Sequence, residues 1–61
     1  MEMKRYAIML KDKGNPYRAY QFSCKETLEE AIAFCKVIKT YKTTERTYVR
    51  DREKKEIVFE A

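Results

Sequence analysis

The chain opens on side chains that alternate. Over residues 4–12, Tyr6, Ile8 and Leu10 fall on one side of an extended backbone, and Arg5, Ala7, Met9 and Lys11 on the other. That is the period of a strand with one buried face. Lys13-Gly14-Asn15-Pro16 interrupts it with the chain's only glycine and only proline, a turn signal. Alternation resumes over residues 17–24, with Tyr20, Phe22 and Cys24 on one side. Two such runs about a short turn predict an antiparallel hairpin.

The period then changes. Thr27-Leu28-Glu29-Glu30 fits a capping box, with Thr27 as N-cap and Glu30 three residues on. Leu28, Ala31, Ile32, Cys35 and Ile38 recur at helical spacing and are expected to face the sheet. Glu29 and Glu30 precede Lys36, Lys39 and Lys42, the charge order that a helix dipole favours. The predicted helix covers residues 28–40 or 41. Alternation returns over residues 46–51, with Thr47 and Val49 opposite Arg46, Tyr48 and Arg50. Residues 51–55 form a charged connection without glycine, which predicts a loop longer than a tight two-residue turn. Residues 57–59 close the pattern as a strand, with Ile57 and Phe59 inward. The predicted fold is α+β, a ββαββ arrangement over residues 1–61, with one helix packed on one face of an antiparallel sheet.

Length adds a constraint. A chain of 61 residues makes one domain with a small core, so it needs disulfides, metal or self-association for support. Cys24 and Cys35 both sit within apolar patterns, where reduced structural cysteines are expected. The sequence holds no histidine, and the two cysteines lie eleven residues apart, so neither a metal nor a cofactor is expected. Self-association remains. Met1-Glu2-Met3-Lys4-Arg5 does not read as a signal peptide, and no apolar run is long enough for a membrane span, so a cytoplasmic protein is expected. At 39% charged and 44% hydrophobic residues the chain is expected to fold, and its net charge of +4 favours anionic partners.

Catalysis has little to draw on. Ser23 is the only serine, Asp12 and Asp51 are the only aspartates and flank predicted turns, and both cysteines are expected in the core. Glu26, Glu29 and Glu30 read as helix-start charges. One glycine does not make a phosphate-cradling loop. A non-enzymatic protein is expected.

Two features exceed what folding needs. The expected outer sheet face carries Arg5, Met9, Lys11, Tyr17, Gln21, Arg46, Tyr48, Arg50 and Val58, arginines interleaved with tyrosines. That mixture binds phosphates and stacks bases, although tyrosine is also a good strand former and arginine an ordinary surface residue. The helix carries further apolar positions at Phe34, Val37 and Tyr41, a shoulder wider than one core requires.

The run Thr27-Leu28-Glu29-Glu30-Ala31-Ile32, followed by Tyr48-Val49-Arg50-Asp51-Arg52 and Glu56-Ile57-Val58-Phe59, resembles the layout of tiny bacteriophage and prophage proteins. The likeness covers about half the chain and lacks the Thr-Gly often seen at the last turn, where Glu53-Lys54-Lys55 stands. It implies proteins that bind and neutralise a host component, some of them by sequestering nucleotide signals between subunits. It transfers no functional residue.

The expectation is therefore a homo-oligomeric binding protein for an anionic ligand, a nucleotide-type molecule or short nucleic acid. Arg5, Arg18, Arg46 and Arg50 would meet phosphates, Tyr17, Tyr41 and Tyr48 would stack, and Phe34, Val37 and Tyr41 would form the subunit contact. Arg18 lies on the opposite strand face from the others, so it contributes only at an edge or subunit junction. The alternative is a protein-binding inhibitor or adaptor that docks through the helix shoulder or a sheet edge.

Overall fold

The change of period marks the boundary between hairpin and helix. In the computed structural model, which describes residues 4–16 and 18–61, the elements are strand β1 (Tyr6–Asp12), strand β2 (Tyr20–Lys25), helix α1 (Leu28–Lys39), strand β3 (Thr44–Asp51) and strand β4 (Glu56–Glu60). The fold is α+β and the order is ββαββ. One antiparallel sheet runs β2-β1-β3-β4, so the two hairpins join through their first strands and β2 and β4 form the edges. The helix lies across one face, mainly over β3 and β1.

Local chemistry sets the ends of these elements. Gly14 takes φ +77 just after β1, a conformation that favours glycine, and the Asn15 amide donates to the Asp12 carbonyl at 3.2 Å. β2 begins at Tyr20, three residues later than alternation predicts. Thr27 caps α1 as expected, its Oγ1 accepting from the Glu30 amide at 3.2 Å. The helix ends at Lys39 without glycine because hydroxyls take its last carbonyls: Thr40 Oγ1 donates to Val37 O at 2.6 Å, and Thr44 Oγ1 to Ile38 O at 2.9 Å. The final turn spans residues 52–55, where Lys55 adopts φ 58.

The core gathers Ile8, Leu10, Ala31, Cys35, Ile38 and Val49, with Tyr6, Leu28, Phe34, Val58 and Phe59 packed around it. Thr47 sits on the same face, fully buried, and donates its hydroxyl proton to the Met9 carbonyl at 2.8 Å. Cys35 Sγ lies 3.5 Å from Thr47 Oγ1. Since that oxygen has given its own proton to Met9, the thiol is the donor.

Two bulges correct the expected faces. The β1–β2 register passes from Ile8↔Ser23 to Met9↔Gln21, leaving Phe22 as the extra residue. Alternation beyond a bulge reverses, so Cys24 pairs with Ala7 on the open face of the sheet, not in the core. In β4 the pairs Val49↔Phe59 and Arg50↔Ile57 leave Val58 extra. Ile57, expected inward, turns to the open face and is 48% exposed, while Val58, expected outward, packs against the core with Phe59. The helix is rotated as well. Phe34 packs on the core cluster with its ring 6.0 Å from that of Phe22, and Ile32 is only half-buried.

Candidate functional site

The open face of the sheet is built on the central strands. Across β1 and β3 the register sets Ala7 opposite Arg50, Met9 opposite Tyr48 and Lys11 opposite Arg46. Arg46, Tyr48 and Arg50 share this face because they alternate along one strand. They are not equivalent. The Arg46 guanidinium lies 4.6 Å from the Tyr48 ring centroid and grips Glu60 of β4 through Nε and Nη2, both at 2.9 Å. The hydrogen bond to Glu60 raises the Arg46 pKa, and its counterpart lowers that of Glu60. Both side chains are about half exposed, so water screens the pair and its net contribution is small. Lys11 is likewise engaged by Glu45. Arg50 is exposed, and no carboxylate pairs with it among the described residues. Beside it in register lies exposed Ile57.

At the end of the sheet the arginine chemistry is internal. Arg5 Nε and Nη2 donate to Asp51 Oδ1 and Oδ2 at 3.1 and 3.0 Å, Nη1 lies 3.5 Å from Glu53, and the guanidinium sits 5.3 Å from the Tyr6 ring centroid. Asp51 is 2% exposed, and its pKa is lowered to about 2 by the Arg5 hydrogen bond against the cost of burial, with the Lys54 and Glu53 amides helping. Arg5, expected to meet a phosphate, is thus committed to Asp51. Nearby, Lys4, Arg5, Arg52 and Glu53 line an open depression of about 280 Å³. Arg52 reaches back across β1 to Gln21 of β2, Nη1 to Oε1 at 3.4 Å.

The other expected contacts scatter. Arg18 is exposed in the connection before β2, away from the Arg46–Tyr48–Arg50 row, and Tyr17 lies outside the described residues. Phe34 is half-buried between Phe22 and Lys25, whose Nζ stands 4.7 Å from its ring centroid. Val37 and Tyr41 are each 54% exposed. Alternation did not point to Ile57 or Arg52, because a bulge turns one outward and a turn carries the other.

A second surface emerges where α1 meets β2. Phe34 and Val37 follow one flank of the helix, and exposed Tyr41 lies just beyond its C-terminal end. The opposite flank faces β4, where Lys36 Nζ stands 5.9 Å from the Phe59 ring centroid, so this flank overlooks β2. Exposed Tyr20 and Phe22 continue it along the sheet edge, and the Tyr20 hydroxyl donates to Asp12 Oδ2 at 3.3 Å.

Among the described residues, no three His, Cys, Asp or Glu side chains cluster to hold a metal, and no helix is long and apolar enough to cross a membrane. Compared with protein-family models, curated proteins and solved structures, the chain matches none.

Proposed function

We propose that this is a non-catalytic binding protein, acting as a homo-oligomer, that takes an anionic, nucleotide-type ligand on the open face of its sheet. Arg50 carries the proposal. The neighbouring carboxylates are already engaged, Glu60 by Arg46 and Glu45 by Lys11, so Arg50 supplies unneutralised positive charge. A phosphate takes the Arg50 guanidinium, and a base lies against the neighbouring Tyr48 ring, which the Arg46 guanidinium already flanks. Arg5 has no part in this, since Asp51 already holds it. A sequestering role, of the kind that the layout resemblance to small phage proteins implies, follows if subunits close around such a ligand.

Titration at low salt with mononucleotides and with short oligonucleotides tests the proposal. Arg50→Gln is expected to weaken binding by roughly tenfold or more while the melting temperature holds, as a charge-assisted bond at an exposed site should. A preference for oligonucleotides with a steep salt dependence would identify a strand as the ligand. Wild-type protein that binds neither set ends this reading.

The second reading, an inhibitor or adaptor acting on another protein, is favoured by the exposed apolar row of Tyr20, Phe22, Val37 and Tyr41 beside an open sheet edge. It requires no affinity for anions.

A further inference from the structure

We infer that β2 is the edge along which two copies of this chain join, antiparallel, with Gln21 of each copy opposite Cys24 of the other; this presupposes the self-association proposed above. The contact would fuse two four-stranded sheets into one and set their open faces side by side.

The two edges differ in charge. β4 begins on Glu56 and ends on Glu60, so a carboxylate bounds each end of this edge, a placement that discourages pairing with a second strand. β2 carries Tyr20, Gln21, Phe22, Ser23 and Cys24 with no charge before Lys25. Both strands contain a bulge, so that device does not distinguish them. The exposed apolar surface is also broader at β2, with Tyr20, Phe22, Val37 and Tyr41 compared with the single residue Ile57 on β4.

The faces of β2 select the register. Tyr20, Ser23 and Lys25 pair with Leu10, Ile8 and Tyr6 on the helix side, and Phe22 joins them there through its contact with Phe34. Gln21 and Cys24 pair with Met9 and Ala7 on the open side. Two β2 strands about a two-fold axis between Phe22 and Ser23 match Tyr20 with Lys25, Gln21 with Cys24 and Phe22 with Ser23. Every pair then shares a face. Sliding by one residue sets Tyr20 against Cys24, helix side against open side, and the match is lost.

Charge agrees with this register. Lys25 of each copy comes opposite Tyr20 of the other, whose hydroxyl is bonded to Asp12, so an ammonium meets a carboxylate at both ends of the pairing. The two Phe22–Phe34 ring pairs meet near the axis and cover each other. A 61-residue chain with a core this small gains from that burial.

Sedimentation of the wild type at micromolar concentration is expected to show a dimer, and Phe22→Lys a monomer. Phe22 also touches Phe34, so a second variant reads the geometry directly. Under mild oxidation Gln21→Cys should form a covalent dimer through Cys24 of the other copy, and adding Cys24→Ala should abolish it. The wild type should not crosslink through Cys24, since its two thiols are offset by three residues, roughly 10 Å along the strands. A monomeric wild type overturns the inference, including one that captures a different protein at this edge. So does a dimer that Gln21→Cys fails to crosslink. Nucleotide affinity is measured apart from these outcomes: a crosslinked dimer with no affinity faults the ligand reading alone.

Discussion

Arg5 and Asp51, 46 residues apart in sequence, close the sheet with a two-pronged hydrogen bond at 3.1 and 3.0 Å. The same carboxylate builds the turn that follows, its Oδ1 accepting from the Glu53 and Lys54 amides at 2.9 and 3.2 Å. One buried side chain therefore serves both tertiary closure and local turn geometry.

Acid should expose this double role. The Asp51 pKa falls from 3.8 to about 2 on folding, chiefly through Arg5, so its carboxylate stabilises the fold above about pH 4. That stability is lost as pH falls from about 4 towards 2. Asp51→Asn keeps an oxygen for the turn amides but has no charge to lose. The gap in melting temperature between wild type and Asp51→Asn, followed by circular dichroism, should be widest near neutrality and close across that window. Parallel curves down to pH 2 would contradict it.

The turn contains a second lever. Lys55 holds φ 58, in a region that side chains with a β-carbon disfavour. Lys55→Gly should raise stability by up to about 1 kcal/mol, the relief being partly offset by the greater freedom of glycine when unfolded. Urea denaturation reads the shift, and a lower midpoint would refute it.

The cysteines should behave differently. Cys35 is fully buried and donates to Thr47, whereas Cys24 is half-buried on the other side of the sheet. Cys35→Ala should cost on the order of 1 kcal/mol or somewhat more, and Cys24→Ala within about 0.5 kcal/mol. In native protein, alkylation followed by mass spectrometry should label Cys24 well before Cys35. Equal rates would show that the core opens freely.

Glu60 competes with any anion for Arg46, which it grips at 2.9 Å through both nitrogens. Glu60→Gln should therefore tighten binding of a phosphate-bearing ligand several-fold at low salt, with less effect at high salt. Isothermal titration would detect it. Unchanged affinity would move the ligand off this face.

The order of elements, the Thr27 cap and the core positions Ile8, Leu10, Ala31, Cys35, Ile38 and Val49 were legible because each follows from periodicity or capping chemistry. Cys24, Ile57 and Val58 were misplaced for one reason. A bulge depends on what the neighbouring strand offers, and alternation along a single strand carries no trace of it. Among the candidate ligand contacts, the shared face of Arg46, Tyr48 and Arg50 could be read from spacing. That Asp51 would engage Arg5 could not, since this pairing depends on long-range strand register. The turn at residues 52–55 lacks glycine because the Asp51 side chain organises it, so Asp51 itself was the available signal.

The central pairing of β1 with β3 has a kinetic consequence. Ile8 and Leu10 meet Val49 and Thr47 across the middle of the sheet, so the two halves of the core lie at opposite ends of the chain. The hairpins and the helix are local and form quickly, but none buries its apolar face until β1 finds β3. On a ribosome the early segment must therefore wait, unfolded, until β3 has left the exit tunnel. Until then the apolar side chains of the first hairpin stay exposed to chaperones and proteases.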